Sequence, residues 1–444
     1  MTLIRRILMK NSAEVVYPGF ARMLKQIKFN ERLPFAERIK TQETALKQLV
    51  MHGFNNVPYY QELSKKLDIK PQDIKTIQDL SYLPILTRED VKENINGFIY
   101  KNDKKHKNSR TGGTTGKPLQ FTISNDSNYR GTALLYNGWS RAGYQLGDKL
   151  LLFAGGSIVS KPDMRSKIAN LTRNYHSETS FNITDEKLEI ICKYIISKKP
   201  LYIRGYASAI TILADYFLAN GYKNHSIKAV FTTAEPLLMS QRDIISTAFQ
   251  APVFDNYGLQ DGGVSAYECD EHNGMHIDTF RSIMEICDEN GCPVPFGTEG
   301  RIIATDLYNY AFPFIRYDTG DLAVADNTPC PCGNTSPRLI KITGRSADVL
   351  NFNTHKISGS GITVLMGKTS VDYYKVVQKN SRKVEIHLLF SDNNNDNIEQ
   401  GTSLIKQFFA LNAPEAVLEF FIYNNIQEFP HPKNKHKFII NKFC

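Results

Sequence analysis

Between Phe35 and Gly53 the apolar residues Phe35, Ile39, Leu46, Leu49 and Val50 recur at helical spacing, and Gly53 marks the expected stop. A second helix follows Val57-Pro58-Tyr59-Tyr60 and carries Leu63 and Leu67. Thr87, three residues before Asp90, resembles a loose capping pattern for another helix. Residues 1–100 therefore read mainly as helices. From about 118 the pattern changes. Leu119 to Ile123 alternates as a strand does, and Leu150 to Ala154 is an unbroken apolar run ended by Gly155-Gly156. Leu201 to Gly205 and Ala229 to Thr233 repeat that type, separated by helical stretches around 185–197 and 207–220. Strands alternating with helices of this length predict a parallel, layered α/β architecture. Beyond 275 the chain turns strand-rich, with Met284–Cys287 and Gly300–Thr305 as strands, two further apolar segments at 371–378 and 383–390, and Ser391–Asn397 as a polar loop within a small α+β unit.

Length and charge narrow the reading. A chain of 444 residues predicts a large domain plus a smaller one, and 41% hydrophobic residues describe a folded globular protein. No run of eighteen apolar residues occurs, which predicts no integral membrane segment. The start lacks a signal-peptide pattern, so the cytoplasm is expected, with a peripheral place at the inner membrane as the alternative. The net charge of +9 suits an anionic small-molecule partner; because its lysines are scattered it does not by itself argue for nucleic acid, and no nucleic-acid partner is expected. Seven cysteines, an odd number unevenly placed, argue against a disulfide scaffold.

The stretch Ser109-Arg110-Thr111-Gly112-Gly113-Thr114-Thr115-Gly116-Lys117-Pro118 carries the most chemistry. Its glycines permit positive-φ turns that gather backbone N–H groups, and the threonine hydroxyls and Lys117 add donors on the same side. Such a surface suits polyanionic oxygens, a phosphate chain first; an ordinary flexible turn is the plain alternative. Pro118 replaces the hydroxyl residue of a P-loop and disfavours helix at Lys117, so this is a different loop. The basic run Lys101 to Lys107 just before it either adds field to an anion site or is a solvated loop.

Together with Val57-Pro58-Tyr59-Tyr60 and Leu83-Pro84-Ile85-Leu86-Thr87, these pieces resemble the adenylate-forming ligases, within them the phenylacetate–CoA ligase family and its capsule-biosynthesis relatives. The resemblance covers nearly the whole chain and implies a large N-terminal adenylation domain of layered sheets and helices with a small mobile α+β C-terminal domain. It divides the chain into a helical part (1–100), an AMP-binding core (101–345) and a small C-terminal domain (346–444). It implies that Thr111 to Lys117 contact the ATP phosphates. Thr233-Ala234-Glu235-Pro236 resembles the adenine-lining segment. Asn256-Tyr257-Gly258-Leu259-Gln260-Asp261 resembles Tyr-Gly-x-x-Glu, whose ring stacks on adenine and whose carboxylate helps hold Mg²⁺. Asp261 stands where glutamate is usual and reaches one methylene less. Tyr317-Asp318-Thr319-Gly320-Asp321 resembles Tyr-Arg-Thr-Gly-Asp, which implies that Asp321 accepts from the ribose hydroxyls. Asp318 replaces the family's arginine, and Arg316 is the expected compensating charge. Gly344-Arg345-Ser346-Ala347-Asp348 resembles the hinge, with Arg345 facing the phosphates. His355-Lys356-Ile357-Ser358-Gly359 resembles the segment that follows it. Pro432-Lys433-Asn434-Lys435-His436-Lys437 resembles the loop of the catalytic lysine, aligned with Lys435; Lys433 and Lys437 are its neighbours.

Cys269, His276, Cys330 and Cys332 supply three thiols and an imidazole in two compact groups, a donor set that suits tetrahedral Zn²⁺ of structural type. His272 is a reserve ligand, and buried free cysteines are the plain alternative. Cys-x-Cys and Gly-x-His pieces also occur in the resembled branch. The expected activity is ATP-dependent acyl-adenylate formation with release of pyrophosphate, then acyl transfer to coenzyme A. Transfer to an amine or carrier in capsule or O-antigen polysaccharide assembly is the first alternative, and a nucleotide-binding protein without turnover is the second. A monomer or homodimer is expected. Tyr136, Trp139, Phe153 and Gly205-Tyr206-Ala207-Ser208 are candidates for an acyl pocket or ordinary packing residues.

Overall fold

The structure, a computed structural model, describes residues 13–102, 105–110, 119–154, 173–180, 183–223, 225–345, 349–366, 368–390, 394–430 and 438–442. The chain divides into two compact units, one built from residues 1–147 and 256–341 and the other from 148–255 and 342–444. Each unit is discontinuous in sequence, so its limits cross the contiguous boundaries expected at 100/101 and 345/346.

In the first unit, helices Phe20–Asn30, Phe35–Asn56 and Pro58–Leu67 precede the short helix Arg88–Glu93. Leu46, Leu49 and Val50 are fully buried, as their spacing predicts. Gly53 does not end its helix, which runs on to Asn56; Pro58, placed in the first turn of the next helix, sets the break instead. The Thr87 hydroxyl accepts from the Asp90 N–H at 3.1 Å, and the Asp90 carboxylate accepts the Thr87 N–H at 2.8 Å, a reciprocal cap. The helical face closes on Phe98, Phe121, Phe312 and Phe314. Helix Asn125–Arg141 has no readable apolar stripe, because its buried face includes Ser127, Asn137 and Gly138.

The strands after residue 256 in this unit pair antiparallel. Ser282–Cys287 pairs with Glu299–Asp306, which pairs with Tyr317–Asp326 across a register shift between Arg301 and Ile303. Ser265–Glu268 pairs with Met275–Ile277, which pairs with the start of Arg338–Arg345. The expected parallel layering is a property of the second unit. There Tyr175–Thr179, Leu150–Ala154, Tyr202–Tyr206 and Ala229–Thr233 lie side by side, all parallel. Helices Asp185–Lys198, Ala207–Ala219 and Met239–Phe249 bury Ile191, Leu213, Phe217 and Phe249 in its core. A Cβ at Gly205 would lie 2.0 Å from the Phe153 carbonyl oxygen, so glycine there is a condition of close strand pairing.

The rest of the second unit includes a two-stranded sheet, Val349–Asn351 with Lys356–Ser358, helix Gly359–Met366, and a four-stranded sheet in the order Val417–Tyr423, Lys383–Leu389, Tyr373–Gln378, Ile439–Asn441, with helix Asn395–Asn412 contributing Ile405 and Phe409 to its core. Tyr373, Leu389 and Phe429 join the core around Leu213 and Phe217 of helix Ala207–Ala219, so the two segments form one compact unit. Among the described residues no helix is long and apolar enough to cross a membrane. The whole is a mixed α/β fold, as expected.

Candidate functional site

Two of the sequence motifs meet inside the first unit. Strand Val253–Gly258 ends at Asn256, Tyr257 and Gly258, and Gly262 and Gly263 then turn the chain with φ of 82° and 72°. This turn is tightly held: a Cβ at Gly262 would come 2.6 Å from the Ala304 Cβ, and one at Gly263 2.4 Å from an Asp306 carboxylate oxygen. Asp306 itself is buried and pinned by Arg281 at 3.0 Å and by the Ser127 hydroxyl at 2.6 Å. The turn carries Asp261 to the Tyr317 hydroxyl, which donates to it at 3.3 Å.

In the facing strand the Gly320 N–H donates to Asp318 at 2.8 Å, and the Asp321 N–H to the Thr319 hydroxyl at 3.1 Å. Asp321 then accepts the Tyr257 hydroxyl at 2.9 Å. Each motif thus contributes a tyrosine and an aspartate, and each tyrosine donates to the other motif's aspartate. Burial first, then the adjacent Asp321 charge, push the Tyr257 hydroxyl well above its ordinary range, so it stays a proton donor. Asp261 and Asp321 are buried to 9% and 8% exposure and each accepts a tyrosine hydroxyl, a placement suited to accepting hydroxyls or meeting a cation at close quarters. The Ser109 hydroxyl donates to Gln260 at 2.6 Å, tying the strand His106–Arg110, which leads into the glycine loop, to the same motif.

Arg316 does not compensate for Asp318. Its backbone has φ of 54°, and its buried guanidinium is taken by the carbonyls of Leu83 (2.8 Å) and Gly291 (2.5 Å) and by Glu285 (3.4 Å). The charge that meets Asp318 is Arg301, at 2.8 Å from the neighbouring strand. No spacing rule points to Arg301, because its partner is set by strand register.

The remaining predicted residues belong to the second unit or lie outside the described residues. Ala234 adopts φ of 69°, a strained turn for a residue with a side chain, and Glu235 accepts the Ser208 N–H at 3.0 Å. Pro236 follows it. Arg345 ends the strand Arg338–Arg345. Thr111, Gly112, Gly113, Thr114, Thr115, Gly116, Lys117, the hinge residues 346–348 and the loop with Lys433, Lys435 and Lys437 lie outside the described residues. Of the acyl-pocket candidates, Tyr136 and Trp139 pack on each other and on Tyr144, and Phe153 is fully buried in the second unit's core, so both places have a packing explanation.

Cys269, His276, Cys330 and Cys332 converge, with one ligand atom from each lying within 4.8 Å of every other. Cys269 and Cys330 sulfurs are 3.7 Å apart, and Cys332 Sγ lies 3.2 Å from His276 Nε2. Tetrahedral Zn–S bonds of about 2.3 Å separate two sulfurs by about 3.8 Å, so the donor set fits such an ion. His276 Nδ1 faces the Ser336 carbonyl at 3.3 Å, which leaves Nε2 as the atom turned to the thiols. Burial, with Arg141, Arg338 and Arg38 nearby, lowers the His276 pKa to about 4, keeping the imidazole neutral. His272 lies apart from the cluster and faces Glu268 at 3.2 Å.

No family model matches the chain. It is 26% identical to Protein CapK of Staphylococcus aureus over 299 residues, 66% of this chain and 65% of that protein, slightly less than two thirds of its length. It is 24% identical to the phenylacetate-coenzyme A ligase of Thermus thermophilus over 375 residues, 81% and 82% of the two chains. With the enzyme of that name from Pseudomonas putida it shares 27% over 369 residues, 80% and 79%. In fold it is similar to a 2-hydroxyisobutyryl-CoA ligase solved in its postadenylation state, with a TM-score of 0.74, 20% identity and coverage of 93% and 91%. By sequence the chain is similar to phenylacetate-coenzyme A ligases, and its fold is similar to that of a 2-hydroxyisobutyryl-CoA ligase.

Proposed function

We propose that this protein activates a carboxylic acid with ATP, forming an acyl-adenylate, and passes the acyl group to the thiol of coenzyme A. The observation that carries the reading is the crossed pairing of Tyr257 with Asp321 and of Tyr317 with Asp261, which joins the two motifs a nucleotide would need together. The substrate carboxylate oxygen attacks the α-phosphorus and pyrophosphate leaves; the thiol sulfur then attacks the acyl carbon and AMP leaves. In this reading Asp321 accepts from the ribose hydroxyls, and Ala234, Glu235, Pro236, Asn256, Tyr257 and Gly258 border the adenine. Thr111 to Lys117 hold the outer phosphates, and Arg345 and Lys435 face the phosphate charge. Asp261 is the carboxylate for Mg²⁺, which when bound neutralises charge on the phosphate oxygens. Cys269, His276, Cys330 and Cys332 hold a structural Zn²⁺, since four protein ligands leave no position for water. The protein acts in the cytoplasm or peripherally at the inner membrane, as a monomer or homodimer.

Carboxylate-dependent exchange of labelled pyrophosphate into ATP, screened over carboxylic acids with and without coenzyme A, tests the reading. Exchange should fall sharply in Lys435→Ala; normal exchange there would reassign the lysine. The likeness to CapK and the Gln260-Asp261-Gly262-Gly263 turn support a second reading, transfer to an amine or carrier in capsule or O-antigen polysaccharide assembly. Product analysis with amine acceptors against coenzyme A separates the two. Tight nucleotide binding with no exchange for any acid would favour a protein that has lost turnover.

A further inference from the structure

Arg38 is one of the largest fully buried side chains among the described residues, at 1% exposure, and it comes from the first turn of helix Phe35–Asn56, remote in sequence from the cysteines. Its guanidinium is spread over two elements. On its own side, Nε donates to the Leu33 carbonyl at 3.3 Å and Nη2 to the Glu31 carbonyl. Across the interface, Nη1 donates to the Ser336 hydroxyl and Nη2 to the Asn334 side-chain oxygen at 3.1 Å. Asn334 and Ser336 belong to the loop that begins with Cys330 and Cys332. That loop is folded back on its own thiol, since the Asn334 N–H points to Cys332 Sγ at 3.5 Å and the Ser336 N–H donates to Asn334 at 3.0 Å. The Thr335 hydroxyl donates to the same Leu33 carbonyl at 2.9 Å, a second tie between the two elements. The Ser336 carbonyl, finally, is the partner of His276 Nδ1 at 3.3 Å.

We propose that Arg38 is the positioning residue of the Cys269/His276/Cys330/Cys332 metal site, clasping residues 330–336 to the segment 31–38 that joins helices Phe20–Asn30 and Phe35–Asn56, so that metal binding and the order of that segment are coupled. The inference rests on the metal reading above. Two physical arguments carry it. A divalent ion with three thiolates and a neutral imidazole bears one net negative charge in a nearly dry place, and a guanidinium held nearby offsets it. The clasp also fixes the residue whose carbonyl orients the imidazole, and partners of this kind set how firmly a metal is kept. Lysine at this position would keep the charge but could not reach both elements, because its ammonium lacks the planar fork.

The test measures zinc release from purified full-length protein to a chromogenic chelator under native conditions, after metal analysis of the wild type. Arg38→Met should release zinc about tenfold faster or more, Arg38→Lys less than that, and Ser336→Ala should also release faster than wild type. In the wild type, amide exchange of residues 31–38 should rise when the metal is stripped. Release at the wild-type rate from all three variants, even with a lowered melting temperature, would reduce Arg38 to a packing role and overturn the proposal. Exchange of 31–38 indifferent to metal would do the same. Should Arg38→Met fail to fold, the other two variants decide. A wild type without stoichiometric zinc removes the metal reading itself, and is seen before any variant is made.

Discussion

Phenylalanine at position 257 keeps the ring that would lie on adenine but removes the hydroxyl that Asp321 accepts at 2.9 Å. A hydrogen bond to a charged group contributes about 1.5–3 kcal/mol, and Asp321 would lose its fixed orientation. Tyr257→Phe should therefore weaken AMP binding by roughly tenfold or more in calorimetry. Unchanged affinity would mean that the hydroxyl does not prepare Asp321 for ribose. The longer bond from Tyr317 to Asp261, at 3.3 Å, predicts a smaller effect for Tyr317→Phe. At Asp318, arginine should harm rather than help, because Arg301 already stands 2.8 Å away. Asp318→Arg alone should cost about 1–3 kcal/mol in urea unfolding, and the double swap Arg301→Asp with Asp318→Arg should recover part of it. A double swap no more stable than the single variant would show that the pair is not coupled.

Among the elements, the turn at Gly262 and Gly263 is the one whose residue types follow from geometry. Alanine at 263 would combine a positive φ with a methyl group driven into Asp306, itself locked by Arg281 and Ser127. Gly263→Ala should destabilise by roughly 2–5 kcal/mol in denaturant unfolding, the sum of backbone strain and overpacking. A loss under 1 kcal/mol would show that Asp306 can move aside. The need for glycine at 262 and 263 was not legible in the sequence, because Ala304 and Asp306 arrive from a strand about forty residues later. Regular elements were more legible. The buried stripe Leu46, Leu49, Val50 and the run Leu150–Ala154 follow from local period alone, whereas helix Asn125–Arg141 buries polar and small residues and so shows no period.

At the scale of the whole molecule, the second unit joins residues 148–255 to 342–444, and a pair of like charges faces across that junction. Asp215 is raised to about 7, by burial first and by the Asp372 charge second. For an acid whose folded pKa lies above its unfolded value, the stabilising contribution is complete at low pH. It is lost as the pH rises from about 4 through about 7, because the fold disfavours the ion. Asp215→Asn should accordingly gain stability over the wild type at pH 8, on the order of 3–4 kcal/mol at most, and little at pH 4. A difference between the two proteins that does not change with pH would refute this account. What the sequence determined by itself is the set of local facts: the amphipathic helices, the apolar strands, the order of the nucleotide motifs and the Cys/His donor set. Only the tertiary structure decided which tyrosine serves which aspartate, that Arg301 and not Arg316 answers Asp318, and that Arg38 clasps the cysteine loop. It also decided that the compact units are discontinuous. The physical reason is that periodicity records burial within one element. A hydrogen bond between residues tens to hundreds of positions apart depends instead on strand register and turn geometry, which no single segment carries.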